Sequence, residues 1–343
     1  KINVTNQTRV SFDFRILPLS KYNENNKHTS SQTKRKFIIN EYYKKLNFKI
    51  YFPPNWGLSS KEIIEQYIPQ TLNKGKWDII SYTTNIDDAD ILIIEDSCNK
   101  NILNNFKKNR RFYFSREALD RKSYQIYKNL GITDCSFWNN NDSYLYTKWH
   151  YKKNKNGVSP GISKTYNELI DLKPMNKNKK ICCILSNKTM NEGHRLRLRF
   201  MKEFTRKYPD FIDLYGTCDF SNKKLKDNDK FECLKNYKYC IGFDNQDDIK
   251  KFFGTQMTDA VLCWTIPLFW CGADLKNYFP EKSFISFNVR DLNEIDRLYN
   301  LLKNDNYEDR LEDLKEARLK ILNKYNMWPT IVNEINKNLF KYK

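Results

Sequence analysis

The sequence predicts an α/β protein of two domains, each built on a parallel sheet with helices on its faces. Three observations carry this. The chain has 343 residues, and domains hold roughly 100–200 residues each. Short apolar runs rich in Ile, Tyr and Phe recur at steady intervals, as strands buried on both faces do. The runs fall into two series, separated by a polar stretch at 152–180 that contains Gly157, Pro160, Gly161 and Pro174.

In chain order, 9–16 reads as a possible first strand with Val10, Phe12 and Phe14 alternating, and 20–37 lacks aliphatics and reads as an exposed loop. Strands follow at 48–52, 78–82, 90–94 and 111–114, with a helix at 61–67 between the first two. Beyond the linker, 180–185 is a strand, and 195–207 is a helix with Leu196, Phe200 and Phe204 on one stripe. Strands at 212–215 and 237–243, a helix at 255–263 and strands at 266–270 and 284–287 continue the alternation. Two helices, 292–302 and 307–325, close it. The economical architecture is an N-terminal α/β domain over 1–165 and a C-terminal one over 175–343 that includes the closing helices, with a cleft between them. Ligands of such sheets bind at the carboxyl ends of the strands.

Composition bounds the function. Hydrophobic residues make up 40% of the chain, enough for real cores and too many for a wholly disordered protein. No apolar run approaches the ~18 residues of a spanning helix. The first residue, Lys1, is not Met, which leaves room for a removed leader or anchor. Sixty basic against 41 acidic residues give a net charge of +19, which invites nucleic-acid binding. The lysines are scattered, however, in a chain also rich in Asn, Ile, Tyr and Phe, so a compositional bias accounts for most of the excess. Nine cysteines lack CxxC or Cys/His metal spacing, and Cys182-Cys183 lies within an apolar run. A reducing, cytoplasmic setting follows. A viral factory, a membrane-associated site or a lumenal one is the alternative, and there the sequons at Asn3, Asn6, Asn141 and Asn187 would matter. GxSxG, P-loop, HExxH and GxGxxG motifs are absent. The acidic pairs Asp247-Asp248 and Asp87-Asp88 have no convincing metal-binding context.

The informative part runs from Ser186 to Asn288. Arg195, Arg197 and Arg199 alternate at the start of a helix, just after a polar loop, where a helix N-terminus adds positive partial charge. At a spacing of two they cannot share one face, so at least one is an ordinary surface residue. Phe243-Asp244-Asn245 ends a strand, which suits either a ribose contact or an Asx turn. Then come Gly254-Thr255-Gln256-Met257, Asp259, Trp264-Thr265-Ile266-Pro267 and Trp270-Cys271-Gly272. The tryptophans read as core.

These motifs, in this order, resemble glycosyltransferase family 10, the α-1,3-fucosyltransferases, and in particular its divergent bacterial and viral members. The resemblance spans about 180–325 and, more weakly, 75–150. It implies a GT-B-like fold, with two Rossmann-like domains whose parallel sheets face a central cleft. The implied enzyme is an inverting glycosyltransferase (fucosyltransferase-like) that moves fucose or another deoxy or hexose sugar to a hydroxyl of an oligosaccharide or glycoprotein. The donor would be GDP-fucose or another GDP- or UDP-sugar. No other cofactor, no metal and no specific nucleic acid are expected.

By the resemblance, Arg197, then Arg195, matches the family's phosphate-binding arginine, and Asp244 and Asn245 would meet the nucleotide. Glu117, after the strand at 111–114, takes the role of general base, with Glu95 its rival on the acceptor side and His150 as a second acceptor-side candidate. His194 would brace the phosphate loop. The sharpest departure is at the family's Thr-Glu-Lys: its glutamate becomes Thr255 and its lysine becomes Gln256, leaving Lys250 or Lys251 to supply the cation. That departure keeps open a catalytically degenerate protein that binds glycans or nucleotides, and the net charge keeps open a basic nucleic-acid-binding protein.

Overall fold

The computed structural model describes residues 47–72, 74–95, 97–114, 160–221, 223–245, 247 and 253–339. The expected strand at 9–16, the loop at 20–37, Glu117, His150, Lys250 and Lys251 lie outside them.

The first sheet has the order β2-β3-β1-β4-β5. Its strands are β1 (Phe48–Tyr51), β2 (Lys76–Trp77), β3 (Ile80–Tyr82), β4 (Ile91–Glu95) and β5 (Arg111–Phe114). All pairs are parallel except β2 with β3, which is antiparallel. Strand β4 is buried at every position, matching its unbroken apolar run. Helix α1 (Ser60–Tyr67) starts on a capping box in which Ser59 and Glu62 satisfy each other's backbone N–H groups. Helix α2 (Lys100–Asn104) starts at Asn99, whose side chain accepts from Asn101 N–H.

The second sheet has the order β10-β9-β8-β6-β7 and is parallel throughout. Strands β6 (Lys179–Leu185), β7 (Asp213–Gly216), β8 (Tyr237–Phe243), β9 (Ile266–Trp270) and β10 (Ile285–Ser286) alternate with helices. These are α4 (Glu192–Lys207), α5 (Lys230–Leu234), α6 (Thr255–Leu262), α7 (Glu294–Asn304) and α8 (Leu311–Lys320). The expected helix at 307–325 is three segments: a 3-10 turn at Tyr307–Arg310, α8, and a π-helical turn at Ile321–Tyr325.

Two features depart from the expected domain plan. The stretch at 160–180 is not a free linker. It carries α3 (Tyr166–Ile170), and Ile162 and Leu169 are fully buried in the second core. Lys177 is also buried and donates to the carbonyls of Leu234, Lys235 and Cys263 and to Thr265 Oγ1 at 2.9–3.2 Å, and burial lowers its pKa to about 8. The second core therefore begins before residue 175.

The last helix, α9 (Met327–Leu339), leaves the second sheet altogether. Met327, Trp328, Ile331, Val332 and Ile335 pack in the core of the first sheet with Ile50, Ile80 and Phe112. Trp328 Nε1 donates to the Tyr67 carbonyl (2.9 Å) and Asn326 Nδ2 to that of Gln70 (2.7 Å). The described residues from 48 onward thus belong to one compact unit containing both sheets.

Both sheets share one topological device. From β1 the chain runs to β3 on one side, then crosses to β4 on the other. From β6 it runs to β7, then crosses to β8. Each crossing opens a crevice at the carboxyl ends of the two central strands, the place where open α/β sheets bind ligands.

Candidate active site

The crevice between β6 and β8 is built around Arg197. On α4 the buried residues His194, Arg197, Met201 and Phe204 follow one another at spacings of three and four, so they form a single inward stripe. Arg195 and Arg199 fall off that stripe. Arg195 reaches back to the Thr189 carbonyl (3.0 Å) and Arg199 lies near the Arg290 carbonyl (3.5 Å), both as exposed contacts. Arg197 is only 4% exposed. One terminal nitrogen donates to Ser186 Oγ just after β6 (2.9 Å), and the other points to Asn245 Oδ1 just after β8 (3.4 Å). Its Nε is buried without a hydrogen-bond partner among the described residues. The arginine thus bridges the two loops of the crevice with donor capacity left over.

His194 stands beside it. Its backbone N–H is held by Asn191, the N-cap of α4 (2.9 Å), and its Nδ1 is buried without a partner among the described residues. Burial, then the positive charges of Arg197, Lys188 and Arg195, lower its pKa to about 4, against which the Asn245 side chain acts. His194 is therefore neutral near pH 7. The sign of the linkage follows. Above pH 6.5 neither the folded nor the unfolded chain holds the proton. As the pH falls towards 4, only the unfolded chain binds it, so stability contributed by neutral His194 is lost across that window. Urea unfolding at pH 7 and pH 4.5 checks this: His194→Gln should lose distinctly less stability between the two than the parent.

The other wall is the start of α6. Asp244 is 4% exposed and its Oδ1 accepts from Gly254 N–H (2.8 Å). A Cβ on Gly254 would lie 2.3 Å from that oxygen, so the close approach requires glycine. Gly254 is the N-cap of α6 and offers no side-chain cap, so the helix begins with backbone N–H groups unclaimed by a capping side chain. Gln256 Oε1 accepts from the Phe243 N–H (3.1 Å), which ties α6 to the end of β8. Thr255 is the first residue of the helix. The starts of α4 and α6 therefore both meet the residues that end β8, and both contribute positive partial charge there.

Around this wall, Arg290 links Glu192 (2.7 Å) on α4 to Asp247 (3.0 Å) after β8. From sequence only Asp247 of this clamp stands out, as half of the acidic pair Asp247-Asp248, and Glu192 and Arg290 do not. No local motif marks it, because its three residues are far apart in sequence: Glu192 begins α4, Asp247 follows β8 and Arg290 follows β10. Trp264 and Trp270 are core residues as expected, each 3% exposed. Asp259 is fully buried and paired with Lys230 (2.6 Å), so it is a packing element of α5 and α6.

On the first sheet, Glu95 ends β4 and is 3% exposed. Its Oε1 accepts from the Tyr67 hydroxyl (2.7 Å). It is held in place at the carboxyl edge of that sheet. Among the described residues no group of three or more His, Cys, Asp or Glu could hold a metal ion, and no helix is long and apolar enough to cross a membrane.

Two sheets of mainly parallel strands, the second carrying a buried arginine and two helix starts at its switch point, define an α/β protein built on two Rossmann-like sheets. Residues 174–312 match the model of the C-terminal part of glycosyltransferase family 10 (fucosyltransferase), so the resemblance read from the motifs holds over that stretch. No curated protein matches in sequence. Among solved structures, an α1,3-fucosyltransferase crystallised with GDP-fucose is similar at 16% identity, covering 90% of this chain and 95% of that one with a TM-score of 0.46. A trehalose-phosphate synthase (UDP-forming) from Burkholderia vietnamiensis is similar at 8% identity, covering 74% and 72%, with a TM-score of 0.45.

Proposed function

We propose that the protein is an inverting glycosyltransferase that takes its sugar from a nucleotide-diphosphate donor, with GDP-fucose and other GDP- or UDP-sugars as candidates. The acceptor would be a hydroxyl of an oligosaccharide or glycoprotein. The observation that carries the reading is Arg197: a buried guanidinium at the β6–β8 switch point, bridging Ser186 and Asn245 with Nε unengaged. As the anomeric bond breaks, negative charge develops on the departing diphosphate. A preorganised cation and two helix starts stabilise such charge without reorganising.

This arrangement also gives a physical reading of Gln256. The uncharged residue there spends its carbonyl on the Phe243 N–H, and Arg197 with the starts of α4 and α6 supplies the positive potential instead. In this reading Asp244, Asn245 and Thr255 would contact the nucleotide, and Lys250 and Lys251 are further candidates for the phosphates. Arg195, on the exposed side of α4, has a secondary role. Glu117, on the segment after β5, would take the acceptor proton as the hydroxyl attacks the anomeric carbon, with His150 and Glu95 on the acceptor side. The protein cations serve the leaving group, and the reading calls for no metal.

The test is donor hydrolysis and sugar transfer measured across GDP- and UDP-sugars. Turnover with at least one donor is expected, with kcat falling by about 10²–10⁴-fold in Glu117→Gln. Nucleotide binding without turnover under any donor would instead mark a degenerate protein that binds without catalysis. Absence of both would end the reading.

A further inference from the structure

The rim of the β6–β8 crevice carries two acids, although the crevice is otherwise built for an anion. Glu192 is the first residue of α4, and Asp247 lies two residues beyond Asn245 in the chain leaving β8. A carboxylate at a helix start offsets the positive partial charge that an anion would meet there. Simple anion binding therefore gives no reason for either acid.

Both acids are turned to one guanidinium. Arg290 Nη1 donates to Glu192 Oε1 (2.7 Å), while its Nε and Nη2 donate side by side to the two carboxylate oxygens of Asp247 (3.1 and 3.0 Å). The arginine reaches them from the loop after β10, an edge strand of the sheet that takes no part in the crevice. The base of that reach is fixed. Val289 is fully buried in the second core, the Arg290 N–H donates to Asn288 Oδ1 (3.0 Å), and Arg297 Nη2 donates to the Ser286 carbonyl (2.9 Å).

The pairing adds little to stability, since the Arg290 side chain is 42% exposed and exposed ion pairs are worth about 0–1 kcal/mol. Its geometry suits restraint. A two-pronged contact to a carboxylate fixes direction as well as distance, and the third bond holds Asp247 against α4. The two sides joined at the rim are the same two that Arg197 bridges inside. Glu192 stands five residues before Arg197 on α4, and Asp247 follows Asn245, whose Oδ1 is 3.4 Å from Arg197, at the long end of a hydrogen bond. The inner bridge is loose and the outer one is tight.

We infer that Arg290 is a positioning residue for the donor site. It clamps the start of α4 to the chain leaving β8, and so holds Arg197 and Asn245 at the spacing that receives the donor's diphosphate. The inference rests on the glycosyltransferase reading above. It also gives the two acids a purpose: they are the anchor points of the clamp, and Arg290 offsets part of their charge.

Calorimetric Kd values for GDP and UDP test it. Arg290→Ala should raise the Kd about tenfold, as the loss of one member of a coupled network does. Arg290→Lys should restore only part of this, because an ammonium cannot hold both carboxylates as the planar fork does. The decisive variant is Glu192→Ala/Asp247→Ala, which leaves Arg290 in place and makes the rim more positive. If Arg290 served only as a positive charge, or touched the phosphates itself, this variant would bind tighter. The clamp requires it to bind more weakly, by about five- to tenfold. In an Asn245→Ala background, adding Arg290→Ala should change the Kd by less than about twofold, since the clamp acts through Asn245. Melting temperatures should stay close to the parent's throughout. Tighter binding in Glu192→Ala/Asp247→Ala, an unchanged Kd in Arg290→Ala, or an undiminished effect in the Asn245→Ala background would overturn the inference and leave the donor reading standing. So would a melting temperature that falls in step with affinity, which would make the clamp a stability element. A parent that binds neither GDP nor UDP would strike the donor reading itself, and the inference with it.

Discussion

Arg197→Ala is expected to weaken nucleotide-diphosphate binding by about 100-fold or more, read as the Kd for GDP and UDP by calorimetry. A charge-assisted hydrogen bond to phosphate is worth about 1.5–3 kcal/mol, and the Arg197 guanidinium keeps N–H groups beyond those that meet Ser186 and Asn245. Arg197→Lys should recover only part of the loss. A single ammonium cannot at once hold Ser186, approach Asn245 and reach an anion, as the planar guanidinium can. The same substitution at Arg195, whose contact is the exposed Thr189 carbonyl, should change the Kd far less. Equal effects at the two positions would show that the inward stripe of α4 does not select the ligand.

Trp328→Ala is expected to be the most destabilising single change in the last helix, by about 3–5 kcal/mol. The side chain is fully buried in the first sheet's core and its Nε1 satisfies the Tyr67 carbonyl at the end of α1. Truncation leaves a large cavity and an unpaired buried acceptor together. Because α9 joins the chain's end to the first sheet, the damage should appear there first. Limited proteolysis should release fragments cut within 48–114 while a core spanning 179–320 survives. Urea unfolding should show a lowered midpoint for the first-sheet signal. Unfolding that remained a single step with an unchanged midpoint would refute this role for α9.

Much of the framework was legible because buried parallel strands leave a strong signature. The runs at 237–243 and 266–270 coincide with β8 and β9 to the residue, since both are almost wholly buried, with only Lys238 breaking the first, and are bounded by polar or turn residues. Elsewhere the reading was displaced for identifiable reasons. Short edge strands such as β2 bury too little for a pattern to show. The stretch at 160–180 reads as a linker from Gly161 and Pro174, yet Gly161 pairs with Asp229 and Ile162 is in the core. The helix α9 was missed because Pro329 looks like a breaker. It sits in the first turn, where no intrahelical N–H is needed.

The candidate site divides along the same line. Spacing alone established that the three arginines of α4 cannot face one way, and the motif order established the family resemblance over the second sheet. Which arginine turns inward depends on the stripe that packs, and the buried run of His194, Arg197, Met201 and Phe204 selects Arg197. That Ser186 and Asn245 meet on either side of it depends on sheet order: β8 crosses past β6 after β7 has taken the outer place, which brings two distant loops together. Local sequence determines periodicity and therefore elements. Long-range strand pairing, which no local pattern encodes, determines which loops become neighbours.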